Sequence, residues 1–226
     1  MKPYRILWLG CCLAVAGCGG DKSPGRNYDK EIDRLMGRMT LAEKIGQMNQ
    51  VSGQSNPTGV LKQYSSLEGR VREGKIGTVL NVTGAATTRE LQRIAVEETR
   101  LGIPLIFALD VIHGYKTISP VPLAESCSWD MSAVEASARM AAVEASAAGL
   151  QWTFAPMVDI ARDPRWGRVM EGTGEDPYLG SHIARARVRG FQGDDLSAPN
   201  TILACAKHFA GYGASEGGRD YNTVDI

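Results

Sequence analysis

Carboxylates, cations and aromatic rings gather at three places along this chain, each just after a stretch that reads as a buried strand. Asp110 and His113 follow the run 104–110. Asp159, Arg162, Asp163, Arg165 and Arg168 sit at the end of 152–160 and in the loop beyond it. Lys207 and His208 close the run 201–209. A carboxylate accepts hydrogen bonds and a cation donates them, so the chemistry on offer is polar recognition; the spacing alone names no reaction. Each residue also has a plainer role open to it. Asp110 can start a turn, while Asp163, Arg165, Arg168 and Glu171 can form a local salt-bridge network. Lys207 and His208 can be loop residues with satisfied hydrogen bonds. Other chemistries fit poorly. His113, His182 and His208 lack close metal-ligand spacing and there is no Cys-x-x-Cys, so no metal site is expected. Gly211, Gly213, Gly217 and Gly218 miss the order of a dinucleotide-binding loop, and no Ser stands in a G-x-S-x-G context.

The elements that position these residues alternate between strand and helix. Ile32, Leu35, Met36 and Met39 give helical spacing over 29–39, and Thr40 with Glu43 forms a capping box for a helix over 41–47. A first, short strand is expected over 48–51 and a helix over 60–73, with Leu61, Tyr64, Leu67 and Val71 on one face and Gly74 as its stop. A strand over 76–82 follows, then a second capping box at Thr87 and Glu90, whose helix continues through Leu91, Ile94, Ala95 and Leu101 to Gly102. After the strand 104–110, Asp130 caps an Ala-rich helix over 131–148. The central strand 152–160 and its loop come next, then a helix opened by Asp176 and Pro177 that runs to about Gly190, and last the strand 201–209. This order predicts five strands in a parallel sheet with right-handed crossovers. The C-terminal ends of such strands share one rim, where residues remote in sequence converge.

The 226 residues suit one domain or a large part of one, with 43% hydrophobic and 22% charged residues. A formal charge of zero and no basic stripe argue against nucleic acid or an anionic membrane surface as the main partner. Lys2 and Arg5 precede an apolar run over 6–16, too short for a membrane span and suited to a signal peptide over 1–17. Val15-Ala16-Gly17-Cys18 resembles the lipobox of bacterial lipoproteins. That resemblance implies a lipid on Cys18, a tether to residue 28, a body over 29–226, and a place in the cell envelope, periplasmic or at the outer membrane. Cys127 and Cys205 remain in the body, expected as two buried free thiols.

Three motifs occur in order: Asp110-Val111-Ile112-His113-Gly114, then Arg162-Asp163-Pro164-Arg165-Trp166-Gly167-Arg168 with Glu171-Gly172-Thr173-Gly174-Glu175-Asp176, then Lys207-His208-Phe209-Ala210-Gly211-Tyr212-Gly213. Together they resemble glycoside hydrolase family 3, near its periplasmic β-glucosidases, over residues 29–226. The resemblance implies a TIM-like (β/α)8 barrel of which about five strands are present, and an exo-acting retaining β-glycosidase that needs no cofactor. It makes Asp110 the carboxylate that accepts from sugar hydroxyls, and Arg168, Lys207 and His208 the donors around the same sugar. Glu171 and Asp176 are expected to brace the arginines and cap a helix, and Trp166 to pack beneath the loop. The β-N-acetylglucosaminidase branch carries Pro and a second His where Ala210 and Tyr212 stand, so the β-glucosidase or β-xylosidase branch is favoured. Retention needs two carboxyl groups about 5 Å apart. In the family the nucleophile is an Asp that follows the seventh strand, and the acid/base comes from a later domain. Both are therefore expected beyond Ile226, and neither Asp220 nor Asp225 is assigned to catalysis. The isolated polypeptide is expected to be inactive. The alternative is a non-catalytic carbohydrate-binding lipoprotein or a decayed fragment.

Overall fold

In a computed structural model, which describes residues 28–53, 67–224 and 226, the chain divides into two units, residues 1–38 and 39–226. The first contains α1 (Asp29–Arg38). The expected signal, Cys18, the tether over 19–27, residues 60–66 of the helix expected over 60–73, and Asp225 fall outside the described residues.

The second unit opens on α2 (Leu41–Gln47). Its capping box is the one that the sequence predicts: Glu43 N–H donates to Thr40 Oγ1 at 3.2 Å, and Thr40 N–H donates to Glu43 Oε2 at 2.8 Å. That reciprocity satisfies two N–H groups with no partner inside the helix. The elements then alternate: β1 (Gln50–Ser52), α3 (Leu67–Arg72), β2 (Thr78–Leu80), α4 (Ala85–Glu97), β3 (Ile106–Leu109), α5 (Pro122–Ser126), α6 (Met131–Ala147), β4 (Trp152–Thr153) and α7 (Pro177–Gln192). The four strands form one parallel sheet in sequence order, with Val51 beside Val79, Val79 beside Phe107, and Ala108 beside Trp152.

Two expectations change at the last strands. Sheet pairing of β4 stops at Thr153, whose partner Leu109 is the last residue of β3. The expected fifth strand makes only isolated parallel bridges, Leu203 to Trp152 and Lys207 to Met157. Its backbone still runs beside residues 151–158: Leu203 N–H donates to Gln151 O, Cys205 N–H to Ala155 O, and Val158 N–H returns to Lys207 O. The rim is therefore built even though the strand is not continuous.

The second capping box does not form. Helix α4 begins at Ala85 behind Gly84, with no side-chain cap, and ends at Glu97 rather than near Leu101. Ala85 and Ala86 are strong helix formers that carry the helix past Thr87, and Glu90 pairs with Arg93 instead. Asp130 does cap α6, accepting from the Ser132 and Ala133 N–H groups at 3.0 Å each. Asp176 caps α7 through Tyr178 N–H at 2.8 Å. Both body cysteines are free, but Cys127 is exposed, because it follows the short α5 as its C-cap; Cys205 is half-buried.

The core lies between sheet and helices. Val79, Phe107 and Leu150 meet Ile94 of α4, Ala142 of α6 and Phe191 of α7. Helices α6 and α7 pack through small residues. A Cβ on Gly190 would stand 2.4 Å from the Glu135 carbonyl oxygen, so only glycine permits that approach. This packing holds α7 against the sheet and, with it, one charged residue of the core, Arg187.

Candidate active-site rim

Asp110 is the first residue beyond β3, and Lys207 ends the irregular segment on the far side of β4. Lys207 Nζ reaches across to Asp110 Oδ1 at 3.1 Å. The side chain of Asp110 is 47% exposed and that of Lys207 15%. The carboxylate thus keeps open lone pairs toward solvent while the stem of the lysine is covered. The Lys207–His208 peptide is cis. His208 is anchored twice by Asp159: its N–H donates to Oδ2 at 3.0 Å, and its Nδ1 lies 2.8 Å from the same oxygen. Asp159 is 7% exposed, a buried carboxylate spent on orientation. With Nδ1 engaged by Asp159, Nε2 is the ring nitrogen left for a ligand.

Arg168 sits in a 3-10 turn, Gly167–Glu171. Glu171 accepts from its Nε and Nη2 at 2.7 Å each, the bidentate geometry that suits guanidinium and carboxylate. This hydrogen bonding raises the guanidinium's already high pKa and lowers that of Glu171 below its ordinary value, so both stay charged. Glu171 braces Arg168, as the sequence predicts. Arg165 takes no part in the network: it is exposed and bonds Asp163 at 2.6 Å, which holds that carboxyl down to about 2. The plain structural role accounts for that pair. His113 likewise turns into its own loop, with Nδ1 3.2 Å from the Ser119 carbonyl oxygen.

Trp166 is 1% exposed and packs with Met157, Ala161 and Val169 beneath the loop, the packing role expected of it. The loop 207–213 can lie on the central segment because Gly213 has no side chain. A Cβ there would stand 2.2 Å from the Ile160 carbonyl oxygen, and the Gly213 carbonyl accepts from Arg162 N–H at 3.0 Å. Ile226, the residue beyond which the catalytic carboxylates are expected, is exposed. Its side chain lies over Gly211 of the same loop, where a Cβ would stand 2.2 Å from Ile226 Cδ1. It brings no polar group to the rim.

Tyr212 joins the pieces. Its ring meets His208 edge-on at 4.7 Å and Trp166 at 5.0 Å, and its hydroxyl accepts from Arg168 Nη1 at 3.3 Å. Asp110, Lys207, His208, Tyr212 and Arg168 thus form one connected row along the C-terminal rim of the sheet. Sequence reasoning missed the roles of Tyr212, Asp159 and Arg187. Arg187 carried a usable signal: it falls on the apolar face of α7, four residues after Ile183 and four before Phe191. It is 3% exposed, bonds Glu125 at 2.6 Å and donates through Nη2 to the Ile112 carbonyl, two residues beyond Asp110. Among the described residues, no group of three His, Cys, Asp or Glu could hold a metal ion.

Comparison with known proteins fits this geometry. Residues 40–226 match the family model described as the glycosyl hydrolase family 3 N terminal domain. The periplasmic β-glucosidase of Salmonella typhimurium is 40% identical over 199 residues, covering 88% of this chain and 25% of that protein. The lysosomal β-glucosidase of Dictyostelium discoideum is 30% identical over 221 residues, 85% of this chain and 27% of its own length. A crystal structure of β-glucosidase from Listeria innocua in complex with isofagomine superposes with a TM-score of 0.79 at 44% identity, over 88% of this chain and 28% of that one. The chain therefore spans about a quarter of the length of the relatives it matches, and its open four-stranded arc is an unclosed part of a TIM-like (β/α)8 barrel. The chain belongs to glycoside hydrolase family 3, matching its N-terminal domain.

Proposed function

We propose that this chain forms the wall that holds the terminal sugar in an exo-acting retaining β-glycosidase of β-glucosidase or β-xylosidase type. The contact of Lys207 with Asp110 across β4 carries the reading. It brings an accessible carboxylate and a cation from separate strand ends into one polar row with His208 and Arg168. Each sugar hydroxyl both donates and accepts. A row of acceptor and donors matches such a ligand and penalises one that leaves a group unpaired. Relatives named as β-glucosidases and a putative β-xylosidase support the same substrate class. The nucleophile and acid/base are proposed to come from beyond Ile226. In support, Asp159, Glu171 and Asp220 at this rim are each committed to holding a neighbouring donor. A cell-envelope location belongs to the same proposal, supported by relatives named as periplasmic, and lipid on Cys18 rests on the lipobox resemblance of Val15-Ala16-Gly17-Cys18.

The test is hydrolysis of 4-nitrophenyl β-D-glucoside and β-D-xyloside by the full-length protein, with NMR detection of the first-formed anomer. The β anomer should appear first. Asp110→Ala should lower kcat/KM about 10- to 200-fold, the value of roughly 1.5–3 kcal/mol for hydrogen bonds to a charged group. Absence of hydrolysis of any aryl β-glycoside, or an Asp110→Ala protein with unchanged kcat/KM, would refute the reading.

A further inference from the structure

We infer that Tyr212, held by Asp220, is a positioning residue that aims the Arg168 guanidinium at the sugar. The inference rests on the reading of Arg168 as a sugar donor. A guanidinium carries five N–H donors. Glu171 takes two, through Nε and Nη2, and Tyr212 takes one from Nη1 at 3.3 Å. One N–H on Nη1 and one on Nη2 remain, and these are the donors left for a ligand.

Glu171 cannot fix their direction alone. It stands three residues from Arg168 in the same 3-10 turn, so it holds the guanidinium only relative to its own loop. Tyr212 arrives from the loop that carries Lys207 and His208, and it ties Arg168 to the other sugar donors.

The direction of that tie is set by Asp220. A phenol has one proton, and Tyr212 gives it to Asp220 Oδ1 at 2.6 Å, which turns the oxygen lone pairs toward Arg168. The same carboxylate oxygen accepts from Trp166 Nε1 at 2.8 Å. Asp220 is thereby pinned to an indole that is 1% exposed. Protonation agrees with these roles. Burial, followed by the hydrogen bond to Asp220, holds the Tyr212 phenol well above its ordinary value, so it keeps its proton. The Tyr212 and Trp166 donors hold Asp220 below the usual carboxylate range, so it remains an acceptor. Asp220 thus has a task that differs from catalysis, and the ring of Tyr212 packs on Trp166, His208 and Tyr221 independently of its hydroxyl.

The experiment is a double-mutant cycle on the full-length protein, with kcat and KM measured on the aryl β-glycoside it hydrolyses best. Tyr212→Phe removes the hydroxyl and keeps the ring. Alone it should lower kcat/KM about 5- to 10-fold, the worth of roughly one lost hydrogen bond. In an Arg168→Ala background it should add less than about 2-fold, because residues acting through one another are not additive. Asp220→Asn, which keeps an acceptor oxygen, should retain more activity than Asp220→Ala. These two variants also test the inference should Tyr212→Phe fail to fold. Equal losses from Tyr212→Phe in both backgrounds would overturn the positioning role while leaving Arg168 as a sugar donor. So would a costly Arg168→Ala beside a silent Tyr212→Phe, or equal activities of the two Asp220 variants. A silent Arg168→Ala would overturn the sugar-binding reading of Arg168 and this inference with it.

Discussion

Removing Glu125 strands a charge in the core. Arg187 and Glu125 have side chains 4% and 6% exposed and meet at 2.6 Å. The other Glu125 oxygen accepts from Ser137 Oγ at 2.6 Å, and Arg187 Nη2 donates to the Ile112 carbonyl. Burial pushes the guanidinium below its ordinary value, and Glu125 opposes that shift. Glu125→Ala leaves a buried cation with one carbonyl for company, and breaking such a pair costs about 3–5 kcal/mol. In a domain of this size each kcal/mol moves Tm by roughly 2–4 °C, so a loss of about 6–20 °C is expected in a thermal melt. The double variant Glu125→Leu/Arg187→Met removes both charges. It should recover most of that loss, keeping a penalty of about 1–3 kcal/mol for the Ile112 carbonyl left without its donor. Because Ile112 lies two residues beyond Asp110, both variants should also weaken sugar binding. An unchanged Tm for Glu125→Ala would refute the reasoning, as would a double variant less stable than the single one.

Gly213→Ala should destabilise by about 1–3 kcal/mol through overpacking against the Ile160 carbonyl, read as a lowered midpoint in urea together with reduced sugar affinity. Thr40→Ala should cost about 1 kcal/mol by removing the N-cap of α2, with activity unchanged. The Glu171–Arg168 pair has a defined pH window. Glu171 is depressed in the folded protein, so its contribution is complete above the ordinary value of 4.5 and is lost as pH falls through the lower folded value. Glu171→Gln should therefore flatten the acid limb of stability, and an identical limb in both proteins would remove the pair from the account. Cys18→Ser should abolish incorporation of labelled palmitate in a bacterial host, and undiminished labelling would remove the lipid anchor at that residue.

Local rules made much of the fold legible before any coordinates. The Thr40–Glu43 box, the Asp130 cap and the Asp176–Pro177 start each act within a few residues, and each helix begins where its cap says. The Thr87–Glu90 pattern misled because the same rule ignores Ala85 and Ala86, whose propensity extends α4 past it. The strands were placed by their apolar runs, but sheet pairing depends on neighbours. The β4 ladder ends with β3 at the Leu109–Thr153 pair and 201–209 keeps isolated bridges, which no run of apolar residues announces. At the rim, Asp110 and Lys207 were visible as charges after strand ends, although their contact at 3.1 Å joins positions 97 residues apart. Asp159, Tyr212 and Asp220 escaped because their roles are relations. Asp159 matters through His208, and Asp220 through a hydroxyl eight residues before it and an indole on another loop.

The central claim is that Asp110, Arg168, Lys207 and His208 hold one terminal sugar. Calorimetric titration of the full-length protein with D-glucose, repeated on Asp110→Ala, tests it most directly. The account expects one site per chain, weakened about 10- to 200-fold in the variant by the loss of hydrogen bonds to a charged group. Equal affinity in the two proteins would contradict it.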